Sequence, residues 1–249
     1  MLKINQLTKN WQKGTIKTST ELSILGYNRD LLKRYTSSKW IESVGYGAYK
    51  LAEDNVKWYG ALNALQEQKQ SKLHAGGKTA LELKGFAHYL SQGKKTVRLF
   101  GNPKEKLPKW FKNSNWDEQI GLVQTKLFDY KLDSLYSKIT LEGIEVKIAV
   151  PELAAMEMLY LIPKEQSFEE AYLIMENLTT LRPKLVQQLL ETCNSVKVKR
   201  IFMWMSEKLN HSWVEDIDIS KVYFGVGKRV IVKEGRLDKK YSITVPGDE

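Results

Sequence analysis

Residues 18–51 read TSTELSILGYNRDLLKRYTSSKWIESVGYGAYKL, and this stretch decides the fold of the N-terminal part. Thr18, Ser19, Thr20 and Glu21 open it in capping-box form, a hydroxyl followed three residues later by a carboxylate. Leu22 and Leu25 follow before Gly26, which predicts a short helix ending at that glycine. Asn28 can cap the next helix, in which Leu31, Leu32 and Tyr35 form one apolar face while Arg29, Lys33, Thr36 and Ser37 form the opposite one. Trp40 to Val44 and Ala48 to Leu51 then flank Gly45-Tyr46-Gly47, which reads as two strands around a glycine turn.

Upstream, Ile4, Leu7 and Trp11 stand at helical spacing and Gly14 closes that segment. Three short helices followed by a hairpin is the order of a winged helix-turn-helix. Downstream, Val56 to Gln68 places Trp58, Leu62 and Leu65 on one helical face, and the polar run Gln66 to Lys72 marks a domain boundary. The expected architecture is therefore α+β, with a winged helix-turn-helix over residues 1–69 and a larger mixed α/β domain over residues 70–249. In that second domain the patterning predicts helices over 78–84, 152–162, 171–178, 183–192 and 198–209, with Pro151, Ser167 and Pro183 at helix starts. Strands are expected over 96–100, 120–128, 139–150, 222–224, 229–233 and 241–245, with a loop around Pro103 and Pro108.

The chain has 249 residues, 42% hydrophobic and 27% charged, an ordinary globular composition long enough to bury a core. The single cysteine, Cys193, forms no internal disulfide and no thiolate metal site. Apolar stretches fall well short of the roughly 18 residues of a membrane span. The first residues lack an apolar leader core, so a cytoplasmic protein without a membrane partner is expected.

Charge is unevenly placed. Residues 1–115 hold 21 basic and 8 acidic side chains, whereas residues 116–249 hold 18 and 21. A basic first part facing a polyanion, with DNA as first candidate, follows from that asymmetry and the helix order. A major groove accepts one helix, so Arg29, Lys33, Arg34, Ser37 and Lys39 are the candidate readers, with Tyr46 and Lys50 as wing contacts. Residues 70–115 continue the basic surface with 10 basic against 2 acidic residues.

Motifs for chemistry are weak. Gly77-Lys78-Thr79 ends like a phosphate-binding loop, but Lys72 stands where the pattern requires glycine. Gly225-Val226-Gly227 lacks the third glycine and following helix of a dinucleotide site. His74, His88 and His211 have no partner at metal-ligand spacing, so neither a metal nor a cofactor is expected. One enzymatic alternative stands: Asp133, Glu145 and Lys147 have the composition of a Mg²⁺-dependent restriction-type nuclease, although an alternating strand produces the same letters.

The segment from Leu31 through Tyr49 resembles the N-terminal domain of AbiEi antitoxins. His74 to Leu81, Leu107 to Phe111, Ala149 to Ala154, Gly225 to Arg229 and Lys240 to Pro246 are similar to segments of the same family, in the same order. The resemblance implies the antitoxin of a bacterial type IV toxin–antitoxin pair linked to abortive infection by phage. It implies an autorepressor that binds inverted repeats in double-stranded promoter DNA and counters a nucleotidyltransferase-like toxin. It implies no catalytic residue. Repression in that family works by cooperative binding and DNA bending, which calls for phosphate contacts beyond the reading helix, here from Lys78, Lys94, Lys95 and Arg98.

Overall fold

The computed structural model of the chain describes residues 3–87 and 95–247. The N-terminal elements are α1 (Lys3–Lys9), β1 (Lys17–Thr18), α2 (Ser19–Ile24), α3 (Arg29–Ser37), β2 (Ile41–Gly45), β3 (Ala48–Leu51) and α4 (Trp58–Lys69). They are followed by β4 (His74–Ala75), α5 (Gly77–Leu83), β5 (Thr96–Gly101), α6 (Lys109–Asn113), β6 (Gln119–Gln124), β7 (Tyr136–Leu141) and β8 (Ile144–Ala149). The rest comprises α7 (Pro151–Tyr160), α8 (Phe168–Glu176), α9 (Pro183–Thr192), α10 (Val196–Lys208), β9 (Arg229–Val230), β10 (Arg236–Asp238) and β11 (Ile243–Val245). The fold is thus mixed α and β, as the patterning implies. The chain divides into two compact units: Met1–His74 with Gly93–Gln124 and Lys138–Lys147, and Ala75–Gln92 with Thr125–Ser137 and Ile148–Glu249.

In the first unit the capping signals act as read. The Thr18 hydroxyl accepts from the Glu21 amide at 3.2 Å and the Asn28 side chain from the Leu31 amide at 3.0 Å, each satisfying an otherwise orphaned helix N–H. Leu7, Trp11, Leu22, Tyr27, Leu32, Ile41 and Leu51 form the core beneath these helices. The hairpin strands pair antiparallel, Ile41 opposite Leu51 and Ser43 opposite Tyr49, with a register shift between Ser43 and Gly45. A third strand, β1, extends this sheet by pairing Lys17 with Tyr49 and Thr18 with Ala48. Two residues carry no periodicity, so the sequence offered no sign of it.

Two glutamines of the polar run after Leu65 are structural. Gln66, 4% exposed, donates to the carbonyls of Leu73 (2.8 Å) and Lys147 (2.9 Å) and accepts from the Lys147 amide (2.9 Å). Its carboxamide stands in for a neighbouring strand's peptide group along β8. Gln68 does the same at Ile16 and Thr18, donating at 2.7 Å and accepting at 2.8 Å. Gly60 of α4 lies so close to the Gly14 carbonyl that a Cβ there would stand 1.8 Å from the oxygen.

Residues 139–150, expected as one strand, form a hairpin. Glu142 (φ 47°) and Gly143 (φ 80°) turn the chain with two positive φ values, the geometry of a two-residue primed turn. The glutamate at the first turn position obscured it, because Asn or Asp is the usual signal there. Gln12 donates to the Gly143 carbonyl at 2.6 Å and Asn63 to the Glu145 carbonyl at 2.8 Å, so the hairpin is fastened to the N-terminal segment. The expected loop at Pro108 contains the single turn α6, with Pro108 as its N-cap. The strand expected over 120–128 is shorter, ending at Gln124.

In the second unit Pro151, Ser167 and Pro183 start helices as expected, and the Ser167 hydroxyl accepts from the Glu170 amide at 3.1 Å. Glu152, 2% exposed, takes a forked ion pair from Arg182 (Nε 2.8 Å, Nη2 3.0 Å) and the Arg182 amide at 2.9 Å. Arg200, 3% exposed, donates to the carbonyls of Phe224 (2.8 Å), Gly225 (3.1 Å), Gly227 (2.6 Å) and Ser242 (3.2 Å). The glycine-rich segment is therefore a loop wrapped around a buried guanidinium. The Val222–Phe224 strand is absent; a 3-10 turn (Ile219–Lys221) precedes a loop whose carbonyls turn inward to Arg200. β11 pairs antiparallel with β10 and parallel with β9.

Gln66→Ala strips the partners of one buried and two partly buried backbone groups and is expected to cost roughly 2–4 kcal/mol, read from urea unfolding. A second outcome concerns acid. Burial raises the Glu152 pKa, but the Arg182 hydrogen bonds outweigh it, and the carboxyl sits below its ordinary value. Stability from this pair is full above the unfolded carboxyl value of about 4.3 and is lost as pH falls through the lower folded value. Glu152→Gln is expected to unfold earlier at pH 7 and to lose part of the wild-type pH dependence below about 4.3, measured as thermal midpoints from pH 7 to pH 3.

Candidate nucleic-acid interface

The candidate reading helix is α3. Leu32 is buried, and Leu31 and Tyr35 pack against the core, so the helix is held by one face. Arg29, Lys33, Arg34 and Ser37 are all exposed, as is Lys39 just beyond the helix. Lys39 has φ 56°, a left-handed conformation that ends the helix and turns the chain into β2.

The hairpin tip stands beside this helix. Tyr46 is 99% exposed between Gly45 (φ 152°) and Gly47 (φ 76°), conformations that exclude most other residues. Gly45 is doubly constrained, because a Cβ there would lie 2.9 Å from the Trp110 Cβ. The Gly47 carbonyl accepts from the Ser19 amide at 2.9 Å, which fixes the tip to the start of α2. Between tip and helices runs a cleft of about 380 Å³ whose wall includes Ser19, Ser23, Arg29, Ser43, Tyr46 and Tyr49. Sequence reading found Arg29 and Tyr46 but not the hydroxyls of Ser19, Ser23 and Ser43, which reach the cleft only through the hairpin's return to α2.

Lys50, an expected wing contact, also has partners within the hairpin region. Its ammonium pairs with Glu42 at 3.1 Å and donates to the Asp54 carbonyl at 2.7 Å, so it braces the hairpin. The Glu53 amide, at 2.9 Å, and Lys50 hold the Glu42 carboxyl below its ordinary pKa. Lys78 lies in the second unit and pairs with Glu170 and, at 3.7 Å, with Glu82. Arg98, in β5, lies over Gly121 of β6, where a Cβ would meet its guanidinium. Lys95 is exposed at the start of that strand, and Lys94 lies outside the described residues.

Of the alternative nuclease residues, Asp133 stands in a 3-10 turn (Asp133–Leu135), while Glu145 and Lys147 lie on the alternating strand β8. Ile144, Val146 and Ile148 are buried while Glu145 is exposed and paired with Lys138 at 2.5 Å. Lys147 offers its backbone to Gln66. Among the described residues no group of three or more His, Cys, Asp or Glu side chains is arranged to hold a metal ion. Gly77, at φ 54°, donates its amide to the buried Glu157 side chain at 3.1 Å, so the Gly-Lys-Thr segment meets an acceptor from the protein itself. Burial lifts the Cys193 thiol to about 11, and its Sγ faces the Ser195 carbonyl. None of the described helices is long and apolar enough to cross a membrane.

Comparison with known proteins gives a family and a fold. The architecture is similar to the crystal structure of the RV2827C protein from Mycobacterium tuberculosis, with a TM-score of 0.64 and 10% sequence identity over 96% of this chain and 88% of that one. No curated protein sequence matches the chain. Residues 1–92 match the family model described as the AbiEi antitoxin N-terminal domain of a transcriptional regulator. Residues 94–246 match that described as a transcriptional regulator, AbiEi antitoxin, of a type IV toxin–antitoxin system. With both models together spanning nearly all of its length, the chain belongs to the AbiEi antitoxin family of transcriptional regulators.

Proposed function

We propose that this protein is a cytoplasmic autorepressor and antitoxin whose α2, α3 and β2–β3 hairpin work as a winged helix-turn-helix on its own promoter. The observation that carries this reading is the exposed basic face of α3 beside a fully exposed tyrosine at a rigid hairpin tip. In such a module the helix enters the major groove while the wing follows the backbone. Arg29, Lys33, Arg34, Ser37 and Lys39 are proposed to meet base edges and phosphates, and Tyr46 the sugar-phosphate chain. Lys50, which also pairs with Glu42, is proposed as the second wing contact. Lys78, Lys95 and Arg98 are proposed phosphate contacts outside the reading helix.

The promoter is proposed to carry inverted repeats, matched by more than one copy of the protein. Family membership supports the second role, countering a nucleotidyltransferase-like toxin, which we assign to residues 70–249 with DNA reading in 1–69. No residue is proposed as catalytic.

Fluorescence anisotropy of the full chain on its own upstream promoter and on a scrambled duplex, across a salt series, tests the DNA role. Tight promoter binding with a steep salt slope is expected. Arg29→Ala with Lys33→Ala should weaken it and flatten the slope by about one for each phosphate no longer neutralised. Equal weak binding to both duplexes, unchanged by the double variant, would overturn the repressor reading. The same double variant separates the two roles in cells: it is expected to lose repression of a promoter reporter yet still rescue growth during toxin expression. Loss of rescue in a variant that accumulates normally would show that the roles are not divided as proposed.

A further inference from the structure

Three cations that pair with no carboxylate among the described residues line one cleft of the second unit. The cleft, about 450 Å³, is lined by Lys126, Tyr160, Asn194, Ser195, Lys197 and Arg229 among others, and no acidic residue among the described ones contributes to it. Lys197 donates to the carbonyls of Tyr160 (2.8 Å) and Ile162 (2.5 Å), and its ammonium lies 5.6 Å from the Tyr160 ring centroid. Asn194 donates to the Lys126 carbonyl at 2.7 Å and ties that segment to the start of α10. The side chains of Lys126 and Arg229 stand exposed at the margins.

This concentration runs against its surroundings. Residues 116–249 hold more acidic than basic side chains, yet the charged side chains lining this cleft, Lys126, Lys197 and Arg229, are all basic. Burial and the nearby Lys164 push the Lys197 pKa down, and burial and Arg229 do the same to Arg200. Like charges gathered without a counter-ion disfavour one another, and a bound anion removes that cost. A guanidinium fork with two ammonium groups matches phosphate oxygens. The volume is that of a site for a small molecule rather than a groove for a duplex.

We propose that this cleft binds the polyphosphate chain of a nucleotide-sized ligand, independently of the α3 face. Lys197 and Arg229 would hold phosphate oxygens, with Lys126 closing the open side. The Ser195 hydroxyl, which accepts from the Val198 amide at 3.3 Å, keeps its own proton to donate.

The test is a titration of the full-length protein with a fluorescent ATP analogue at physiological salt, followed by competition with unlabelled ATP, inorganic tripolyphosphate, adenosine and a single-stranded oligonucleotide. Saturable binding is expected, displaced by ATP and tripolyphosphate but not by adenosine. It should weaken at least tenfold in Lys126→Ala with Arg229→Ala, while Arg29→Ala with Lys33→Ala binds like the wild type. Failure to saturate, equal binding by the Lys126/Arg229 variant, displacement by adenosine alone, or displacement only by the oligonucleotide would each overturn the proposal. Both substituted side chains are exposed, and each single variant serves as a check should the double one unfold. Promoter anisotropy on the same samples keeps a failure here distinct from a failure of the repressor reading.

Discussion

The first unit depends on one carboxamide. Gln66 uses both its N–H groups and its carbonyl oxygen on backbone that is buried at Leu73 and partly buried on both sides of Lys147. An unpaired buried peptide group is costly, so a single side chain that satisfies three backbone groups fixes where the strand can run. Once β8 is placed, its hairpin partner and the Gln12 and Asn63 contacts follow. α4 is set against the Gly14 loop at a distance only glycine at position 60 permits. The candidate reading helix and its hairpin pack on a core of their own, which includes Leu7, Leu22, Leu32 and Ile41.

The second unit solves the same problem with charge. Glu152 and Arg200 are both almost fully buried, the one satisfied by an arginine fork and a backbone amide, the other by four carbonyls. Breaking either leaves an unsatisfied buried charge, which is far more harmful than never having had one. Arg200 also explains a loop that the patterning reads as strand. Val222 to Phe224 have strand-forming side chains, but the guanidinium draws the Phe224 carbonyl, and those of Gly225 and Gly227, away from any strand partner.

What the sequence made legible was whatever is encoded locally. Capping side chains at Thr18, Asn28 and Ser167 and prolines at 151 and 183 mark helix starts within a residue or two, because a cap bonds only two or three positions away. Exposure of Arg29, Lys33 and Tyr46 was equally readable from helical period and turn chemistry. Long-range pairing was not. That Lys50 faces Glu42 and the Asp54 carbonyl, and that Lys78 reaches Glu170, depends on partners that periodicity does not address. The two-residue β1 and the Glu142-Gly143 turn were missed for the complementary reason, each being too short or too atypical to leave a pattern.

The composition of the first unit from three separated stretches bears on how the protein is made. Its last stretch ends at Lys147, so the unit cannot close until well over half of the 249-residue chain has left the ribosome. Until then α4 holds a glutamine without its strand, and the segments that will flank β8 remain uncovered. Chains cut short by messenger decay or stalled translation before that point carry an incomplete fold, the kind of species on which proteases and chaperones act.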